Sequence, residues 1–359
     1  MKKNILITFK EGQGLGNQLW LLSTALNISI TLNSNLIIKG KKKFKGWGLM
    51  SKEFIRYYLT FKKNHAKIEW LSISAKAFYS ERHKYPIYFQ ESSSLIDIIN
   101  LFKNVEIVGN YQSVSLLPNV EILSSFFNLT GLSNSLLIGD NSNTCLINIR
   151  GGDYLGLFKS PCVKISYYIN AIALMRQKFP NIRFKIVSDD YKYVKAIMPE
   201  FEILKGDLYD DFIQINNAKY IILSNSSFAF FPVYLSKEMR YAIAPDTWGG
   251  AQFTDNDSSW LSPTNYFSKF HFIDSNGKDS NCRNYFDAAL SINNYCTPMN
   301  EKLIETIKYS FQEENSKSKE PILKRFLFRK IKRELILLIW YLRSKYRKVI
   351  LSKLWKKVT

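Results

Sequence analysis

Cysteine and histidine are scarce in this sequence of 359 residues, which contains four cysteines and three histidines. Zinc sites and disulfide frameworks need these residues at short, regular spacings. The cysteines form no CxxC pair and the histidines lie far apart, at Cys145, Cys162, Cys282, Cys296, His65, His83 and His271. The sequence therefore indicates neither kind of site, and we expect reduced thiols.

Long apolar runs are also missing near both ends of the sequence. The apolar residues near the start are interrupted by Lys10 and Glu11, too early for the central region of a signal peptide. In the C-terminal segment the longest apolar run, Leu335 to Leu342, has eight residues, well short of the ~20 that span a bilayer. We therefore expect a cytoplasmic protein.

Two common glycine-rich nucleotide motifs are absent from the turn GQGLGNQ at residues 12–18. Its glycines do not follow the G-x-G-x-x-G spacing of dinucleotide-binding folds, and it lacks the Gly-Lys-Ser/Thr ending of a P-loop. A nicotinamide site is therefore not expected. The turn is either a tight connection between a strand and a helix or a place where Asn17 and open backbone contact a ligand.

Positive charge is abundant, with a formal net charge of +20, but it is unevenly distributed. Residues 321–359 carry thirteen Lys or Arg against one acid, Glu334, and so hold +12 of the total. Such a basic, aromatic and aliphatic composition is typical of an amphipathic helix on an anionic membrane surface, with a helix packed across two domains as the alternative. We expect a peripheral protein on the inner face of the cytoplasmic membrane, and no nucleic-acid partner.

Short apolar segments alternate with helix-like patterns in both halves of the chain, which predicts an α/β fold. Expected strands include ILITF at 5–9, NLIIK at 35–39, CLINI at 145–149, FKIVS at 184–188 and YIILS at 220–224. This alternation favours parallel sheets, whose ligands bind at the carboxyl ends of the strands. We predict one domain over 1–135, a second over 136–312, and a linker with the basic helical tail over 313–359.

The stretch TCLINIRGGDYL, residues 144–155, joins a predicted buried strand to one arginine and two glycines. Arg150 stands at the end of that strand, beside backbone that Gly151 and Gly152 leave open. An arginine in this place can direct its fork of donors at a bound anion. The alternative is that Arg150 only pairs with Asp153 and fastens the turn.

Several motifs together resemble glycosyltransferase family 11, chiefly the bacterial α-1,2-fucosyltransferases. They stand in the family's order: GLGNQLW at 14–20, GNYQS at 109–113, INIRGGDYL at 147–155, VSDDYKYV at 187–194, NNAKYIILSNSSFAFFPVYL at 216–235 and IAPDTW at 243–248. The resemblance implies a GT-B fold of two Rossmann-like domains. It also implies inverting transfer from GDP-fucose, without metal or cofactor, to a glycan or lipid-linked oligosaccharide of a bacterial O-antigen or capsule.

The motif around Arg150 departs from the family's H-x-R-R-G-D-Y pattern, because Asn148 replaces the histidine and Gly151 the second arginine. By resemblance, Arg150 faces the diphosphate of the donor. A metal-free enzyme needs a fixed cation there, since negative charge builds on the departing diphosphate. Asp153 either orients Arg150 or accepts the proton of the acceptor hydroxyl, and Glu11 is a weaker candidate for that base.

The other candidate site residues come from the remaining motifs. With Arg150, we predict nucleotide-sugar binding by Asp189, Asp190, Asn225, Ser226, Ser227 and Phe228. In the cleft and toward the acceptor we predict Gly14, Gly16, Asn17 and Gln18. The aspartates and serines would also serve as helix N-caps, so both roles stay open at these positions, and Asp189 is a further weak candidate for the base.

Three other functions compete with this one. The Asp-x-Asp motif at Asp255 and Asp257 suits a metal-dependent GT-A transferase, but it lies in a predicted loop rather than after an apolar strand. The altered positions Asn148 and Gly151 suit either a catalytically degenerate glycan-binding or scaffold protein, or a transferase with a different nucleotide sugar.

Overall fold

A computed structural model of the protein describes residues 2–57, 59–60, 71–74, 96, 99–100, 103–109, 112, 114–129, 142–156, 162–246 and 267–280. The basic tail, the Asp-x-Asp motif and the boundary predicted at 135/136 lie outside these residues, so the predictions for them remain predictions. Within the described part, every helix is too short or too polar to cross a membrane.

The first sheet is parallel and, within the described residues, has the strand order β3-β2-β1-β5-β4. Its strands are β1 (Asn4–Thr8), β2 (Asn35–Lys39), β3 (Leu59–Thr60), β4 (Leu71–Ser74) and β5 (Asn104–Val108). The associated helices are α1 (Leu15–Thr31), α2 (Lys52–Tyr57) and α3 (Val120–Ser125). The chain leaves β1 to one side and returns as β5 on the other, so a crevice opens between the carboxyl ends of these two strands.

The second sheet is also parallel, with the order β11-β10-β9-β6-β7-β8. Its strands are β6 (Thr144–Ile149), β7 (Arg183–Ser188), β8 (Glu202–Ile203), β9 (Tyr220–Ile222), β10 (Tyr241–Pro245) and β11 (Phe270–Ile273). Between them lie α4 (Gly152–Gly156), α5 (Ile165–Lys178), α6 (Tyr191–Ile197), α7 (Leu208–Asn217) and α8 (Ser227–Tyr234). All six residues of β6 are buried, because this strand has a neighbour on each side and helices on its faces. The order reverses between β6 and β9, which places a second crevice beside the end of β6.

Helix α1 connects the two halves by packing against α8. The indole of Trp20 lies 4.6 Å from the ring of Phe230 and 5.0 Å from that of Phe231, and all three side chains are fully buried. A Cβ atom on Gly16 would lie 2.4 Å from the backbone nitrogen of Phe228, so a glycine is required where the first turns of the two helices meet. The carboxyl-end crevices of the two sheets are therefore brought side by side.

The predicted α/β architecture is confirmed. The strands expected from the sequence appear within one or two residues of their predicted bounds. Because β-branched and other apolar residues fill both faces of these strands, their sequence pattern is strong even without alternation of polar residues. Two Rossmann-like parallel sheets with helices packed on them give the GT-B arrangement.

Candidate active site between the two sheets

Arg150 lies at the carboxyl end of β6 and is held by two carboxylates. Its Nη1 is 2.6 Å from Oδ2 of Asp189, and its Nη2 is 2.5 Å from Oδ1 of Asp153. The backbone nitrogen of Gly151 donates to Oδ1 of Asp189 over 2.9 Å. The expected pair with Asp153 is therefore present, and Asp189 from the neighbouring strand β7 joins it.

Burial and charge act in opposite directions on this network. Burial lowers the pKa of Arg150, but Asp189 and Asp153 outweigh that effect and raise it, so the guanidinium stays charged. Burial raises the pKa of Asp189, while Arg150 and the Gly151 amide lower it, and the net direction is upward. The side chain of Asp153 is 58% exposed against 31% for Asp189, so Asp153 is the more solvent-accessible of the two partners of the guanidinium.

The two glycines after Arg150 are required by close contacts. Gly152 has φ +42°, and a Cβ there would lie 2.4 Å from Oδ2 of Asp189. On Gly151, a Cβ would lie 2.8 Å from Cδ1 of Tyr193 and 2.9 Å from Cβ of Asp190. The start of α6 therefore packs so tightly against Gly151 that it leaves no room for a side chain where the family motif has its second arginine.

Asp190 and Asn148 have structural partners. The Asp190 carboxylate caps α6 by accepting a hydrogen bond from the backbone nitrogen of Tyr193 over 3.0 Å. This is the N-cap role that the sequence offered beside nucleotide binding. The Asn148 side chain is buried within β6 and accepts a hydrogen bond of 2.6 Å from Oγ of Ser224. Asn148 therefore ties β6 to the segment that leads into α8.

The start of α8 contains the predicted phosphate-binding serines. Ser226 is the N-cap residue, but its side chain makes no capping hydrogen bond, so the amides of the first turn are not satisfied by that hydroxyl. Asn225 and Ser226 are buried, whereas Ser227 is half-buried at the crevice. The ring of Phe228 packs edge-on to that of Phe212 at 5.9 Å, a contact typical of a core residue.

The predicted cleft residues of α1 have different positions. A Cβ on Gly14 would meet no atom within 4 Å, so this residue borders open space, whereas Gly16 fills the contact with α8. Asn17 accepts from Nε2 of Gln112 over 2.7 Å. Gln18 is fully buried, with Nε2 donating to the carbonyl of Lys43 and Oε1 accepting from the nitrogen of Lys45. Both polar atoms of the Gln18 side chain are thus bonded to a neighbouring loop, so its role toward the acceptor stays a prediction.

Asp211 is a further candidate site residue, which was not predicted from the sequence. It lies in the first turn of α7, next to a capping box in which Asp207 and Asp210 bond each other's backbone nitrogens. Burial, with smaller contributions from Asp210, Asp207 and Asp189, raises the pKa of Asp211 to about 7. The sequence does contain a feature that could have indicated this residue. It is a pair of adjacent acids in a helix that starts at the carboxyl end of a strand.

A buried amide adjoins Asp211. A Cβ on Gly206 would lie 3.2 Å from Oδ1 of Asp211 and 3.2 Å from Nε2 of Gln214, so the three residues are neighbours. Gln214 is 1% exposed, and neither end of its amide has a hydrogen-bond partner among the described residues. Within the same residues, no group of three or more His, Cys, Asp or Glu is arranged to hold a metal ion.

Part of the chain matches a known protein family. Residues 120–267 match the model described as Glycosyl transferase family 11, which confirms the resemblance predicted from the motifs. An alpha-1,2-colitosyltransferase from Escherichia coli is 30% identical over 122 residues, covering 30% of this chain and 41% of that protein. The aligned part is thus about two fifths of the length of this curated relative.

Two solved structures have a partly similar backbone trace. POFUT1 in complex with GDP has a TM-score of 0.41 and 10% identity, covering 68% of this chain and 98% of that one. The fucosyltransferase NodZ from Bradyrhizobium has a TM-score of 0.39 and 11% identity, covering 66% and 94%. At this level the likeness says nothing about substrates.

Proposed function

We propose that this chain, whose residues 120–267 match the model of glycosyltransferase family 11, transfers fucose from GDP-fucose to a galactoside. The transfer inverts the anomeric carbon, forms an α-1,2 linkage and needs no metal. One observation carries the proposal. A charged, partly buried arginine stands at the switch point of the second sheet, in the matched segment and beside the first turn of a helix, where a departing diphosphate is best stabilised.

The chemistry requires stabilisation of the leaving group above all. The acceptor oxygen forms a bond to the anomeric carbon from the face opposite the diphosphate, and the bond from that carbon to the phosphate oxygen breaks. GDP leaves with the electron pair, and the hydroxyl proton passes to a base or to water. Arg150 then faces the growing negative charge, and the amides and hydroxyls at the start of α8 supply further donors.

Asp153 has a positioning role in this scheme. Its Oδ1 is occupied by Nη2 of Arg150, so it orients the guanidinium in the free enzyme and gives way when the diphosphate binds. Proton acceptance by Asp153 requires that it first leave Arg150. A transition state with little need for a base is compatible with this arrangement.

Asp211 supports a guanine nucleotide as the donor. Guanine presents two neighbouring N–H groups on one edge, and a carboxylate accepts both. Uracil presents one N–H between two carbonyl oxygens, and these would be repelled by the same carboxylate. The acidic first turn of α7, close enough to Asp189 for the two charges to interact, therefore favours GDP over UDP donors.

Colitosyl transfer is a second candidate, favoured by the sequence similarity to the alpha-1,2-colitosyltransferase. The same cation and helix start would serve either sugar, because they address the diphosphate. The choice between the sugars would be made by the residues around the sugar ring.

A donor screen tests both candidates. The full chain is incubated with a β-galactoside and, separately, GDP-fucose, GDP-linked colitose, GDP-mannose and UDP-sugars, with and without EDTA, and nucleotide release is measured. We expect turnover of GDP-fucose that survives EDTA, with an α-1,2 product by NMR. Preference for GDP-colitose would establish the second candidate. Activity with UDP-sugars alone, or loss in EDTA with recovery in manganese, would overturn the metal-free GDP-sugar proposal.

We also propose that the enzyme acts at the inner face of the cytoplasmic membrane, on a glycan of the bacterial surface. The support is the charge of residues 321–359, which attracts an anionic surface by about 1 kcal/mol per basic residue close to it. Cosedimentation with anionic and neutral vesicles, with and without residues 321–359, measures this contact. Equal binding to both vesicles, or unfolding of the truncated protein, would contradict it.

A further inference from the structure

A lysine-rich loop follows strand β2 on the first sheet. Residues 39–45, with the sequence KGKKKFK, contain five lysines and no acid, and we refer to them as the lysine loop. The loop leaves the carboxyl end of β2, at the edge of the sheet where the crevice opens.

The lysine loop is fixed by its backbone. Gly40 has φ +73°, and a Cβ there would lie 2.4 Å from the carbonyl oxygen of Phe9, so the chain turns sharply over the end of β1. The buried amide of Gln18 bonds the backbone at Lys43 over 2.7 Å and at Lys45 over 2.9 Å. The ring of Phe44 stacks on that of Phe9 at 4.6 Å. The main chain of the lysine loop is therefore anchored at several points, while Lys42, Lys43 and Lys45 are exposed.

The lysine loop also borders the candidate active site. The hydroxyl of Tyr209, in the first turn of α7, donates to the carbonyl of Lys45 over 2.7 Å. Gln18 in the first part of α1 bonds the backbone of the loop at Lys43 and Lys45, and on Gly46, the residue after the loop, a Cβ would lie 3.0 Å from Cδ1 of Leu15. The loop therefore touches the first turns of both helices that flank the crevice, and Asp211 lies two residues from Tyr209.

Three lysines of the loop have no counter-ion in the described residues. Lys42, Lys43 and Lys45 are exposed and form no ion pair there. Like charges held together on a rigid support repel one another, so they gain free energy when an anion binds between them. Such a group of cations is suited to a phosphoryl group.

We propose that the lysine loop binds a phosphoryl group carried by the acceptor glycan, an inference that rests on the proposed transferase function. The donor diphosphate already has Arg150 and the start of α8, both on the second sheet. The lysine loop belongs to the first sheet and faces the crevice from the other side, where an acceptor would enter. A lipid-linked diphosphate and a sugar phosphate within the glycan share this chemistry.

The test compares acceptors that differ only in charge. A galactose-terminated oligosaccharide is prepared with a free reducing end, with a soluble short prenyl diphosphate at that end, and with a phosphate monoester on an internal sugar. The variant K42Q/K43Q/K45Q is compared with the control K2Q/K237Q/K269Q, whose lysines precede β1, β10 and β11 and so lie at the opposite edges of the sheets. Equilibrium binding without donor is measured alongside transfer.

We expect the loop variant to raise KM and Kd for one of the phosphorylated acceptors by about tenfold, since three exposed ion pairs contribute about a factor of two each. The neutral acceptor, the KM for GDP-fucose and the control variant should be unaffected. The acceptor that responds identifies whether the prenyl diphosphate or the internal phosphate is bound. High salt should remove the difference.

Three outcomes would overturn the inference: equal losses with neutral and phosphorylated acceptors, a selective rise in the KM for GDP-fucose, or no change in any constant. Failure of the proposed function is distinguishable, because it would appear as no nucleotide release from any donor by the native chain. The binding measurement without donor still decides whether the lysine loop holds a phosphoryl group.

Discussion

The carboxyl edges of the two sheets use charge in opposite ways. At the second sheet, one guanidinium is held at 2.5 and 2.6 Å by two carboxylates and is only 28% exposed. At the first, the lysine loop presents the exposed ammonium groups of Lys42, Lys43 and Lys45, which form no ion pair within the described residues. The former positions one donor with little screening by salt, and the latter attracts anions in a salt-dependent way. The difference suits a fixed leaving group on one side and a variable acceptor on the other.

Replacing Arg150, the buried cation at the second sheet, should cause the largest loss of turnover. Arg150→Lys keeps the charge but loses the planar fork that bridges Asp153 and Asp189, so turnover should fall on the order of 10²–10³-fold. Turnover is measured with saturating GDP-fucose, and circular dichroism checks that the variant is folded. Near-normal turnover of a folded Arg150→Ala protein would show that the residue only fastens the turn.

Restoring the family's second arginine should damage the enzyme instead of improving it. In Gly151→Arg the new Cβ meets Tyr193 and Asp190 at under 3.0 Å, so the capped first turn of α6 must move. We expect a loss of about 1–3 kcal/mol in the free energy of unfolding, together with lower turnover. Gly151→Ala separates the effect of the Cβ from that of the charge. A stable Gly151→Arg protein with tighter donor binding would mean that α6 accommodates the change.

The contact between the two halves can be tested with a matched glycine pair. Gly16→Ala places a Cβ 2.4 Å from the backbone nitrogen of Phe228 and should cost about 1–3 kcal/mol of stability. Gly14→Ala, two residues earlier, adds a Cβ with no atom within 4 Å and should cost less than about 1 kcal/mol. Denaturant unfolding compares both with the native chain. Equal stabilities would contradict the close approach of α1 and α8.

The smallest expected effect concerns the pH dependence of stability. The folded chain raises the pKa of Asp211 to about 7 from an ordinary value of 3.8. Its protonated form is favoured by folding, so this contribution is complete below about pH 4 and is lost as the pH rises through about 7. Asp211→Asn should therefore unfold at a higher temperature than the native chain, with a larger difference at about pH 8 than at about pH 5.

The control for Asp211→Asn is Glu200→Gln, which removes one negative charge at an exposed acid on the surface. The Asp211→Asn variant should also have a raised KM for GDP-fucose, because an amide cannot accept from both guanine N–H groups. If the unfolding temperatures of the native chain and of Asp211→Asn differed by the same amount at both pH values, Asp211 would already be ionised below neutral pH, which would contradict the prediction.

Much of the fold was predictable because its central strands, such as β1, β6 and β9, are buried on both faces. Runs such as CLINI and FKIVS carry enough apolar and β-branched residues to indicate strands by themselves, and the helices between them imply parallel order. Arg150 and Asp189 could be placed at one edge for the same reason, since both directly follow a strand.

Other parts of the site could not be predicted from local pattern. The sequence shows Asp211 only as one of two adjacent acids, and its raised pKa depends first on burial in the folded chain, which the local pattern does not reveal. Gln18 is a polar residue in a glycine-rich turn and was therefore predicted to lie in the cleft, yet its amide is buried and bonds the backbone of the lysine loop. Hydrogen bonds and burial of this kind depend on which segments fold together.

The sequence by itself determined the two α/β halves, the family resemblance and the presence of one arginine at the end of a central strand. Only the tertiary structure decided that two carboxylates share that arginine, that Gly151 leaves no room for a second one, and that the lysine loop borders the same crevice. The physical reason is that strand and helix patterns arise from neighbouring residues. Ion pairing, desolvation and close packing arise between residues distant in the chain.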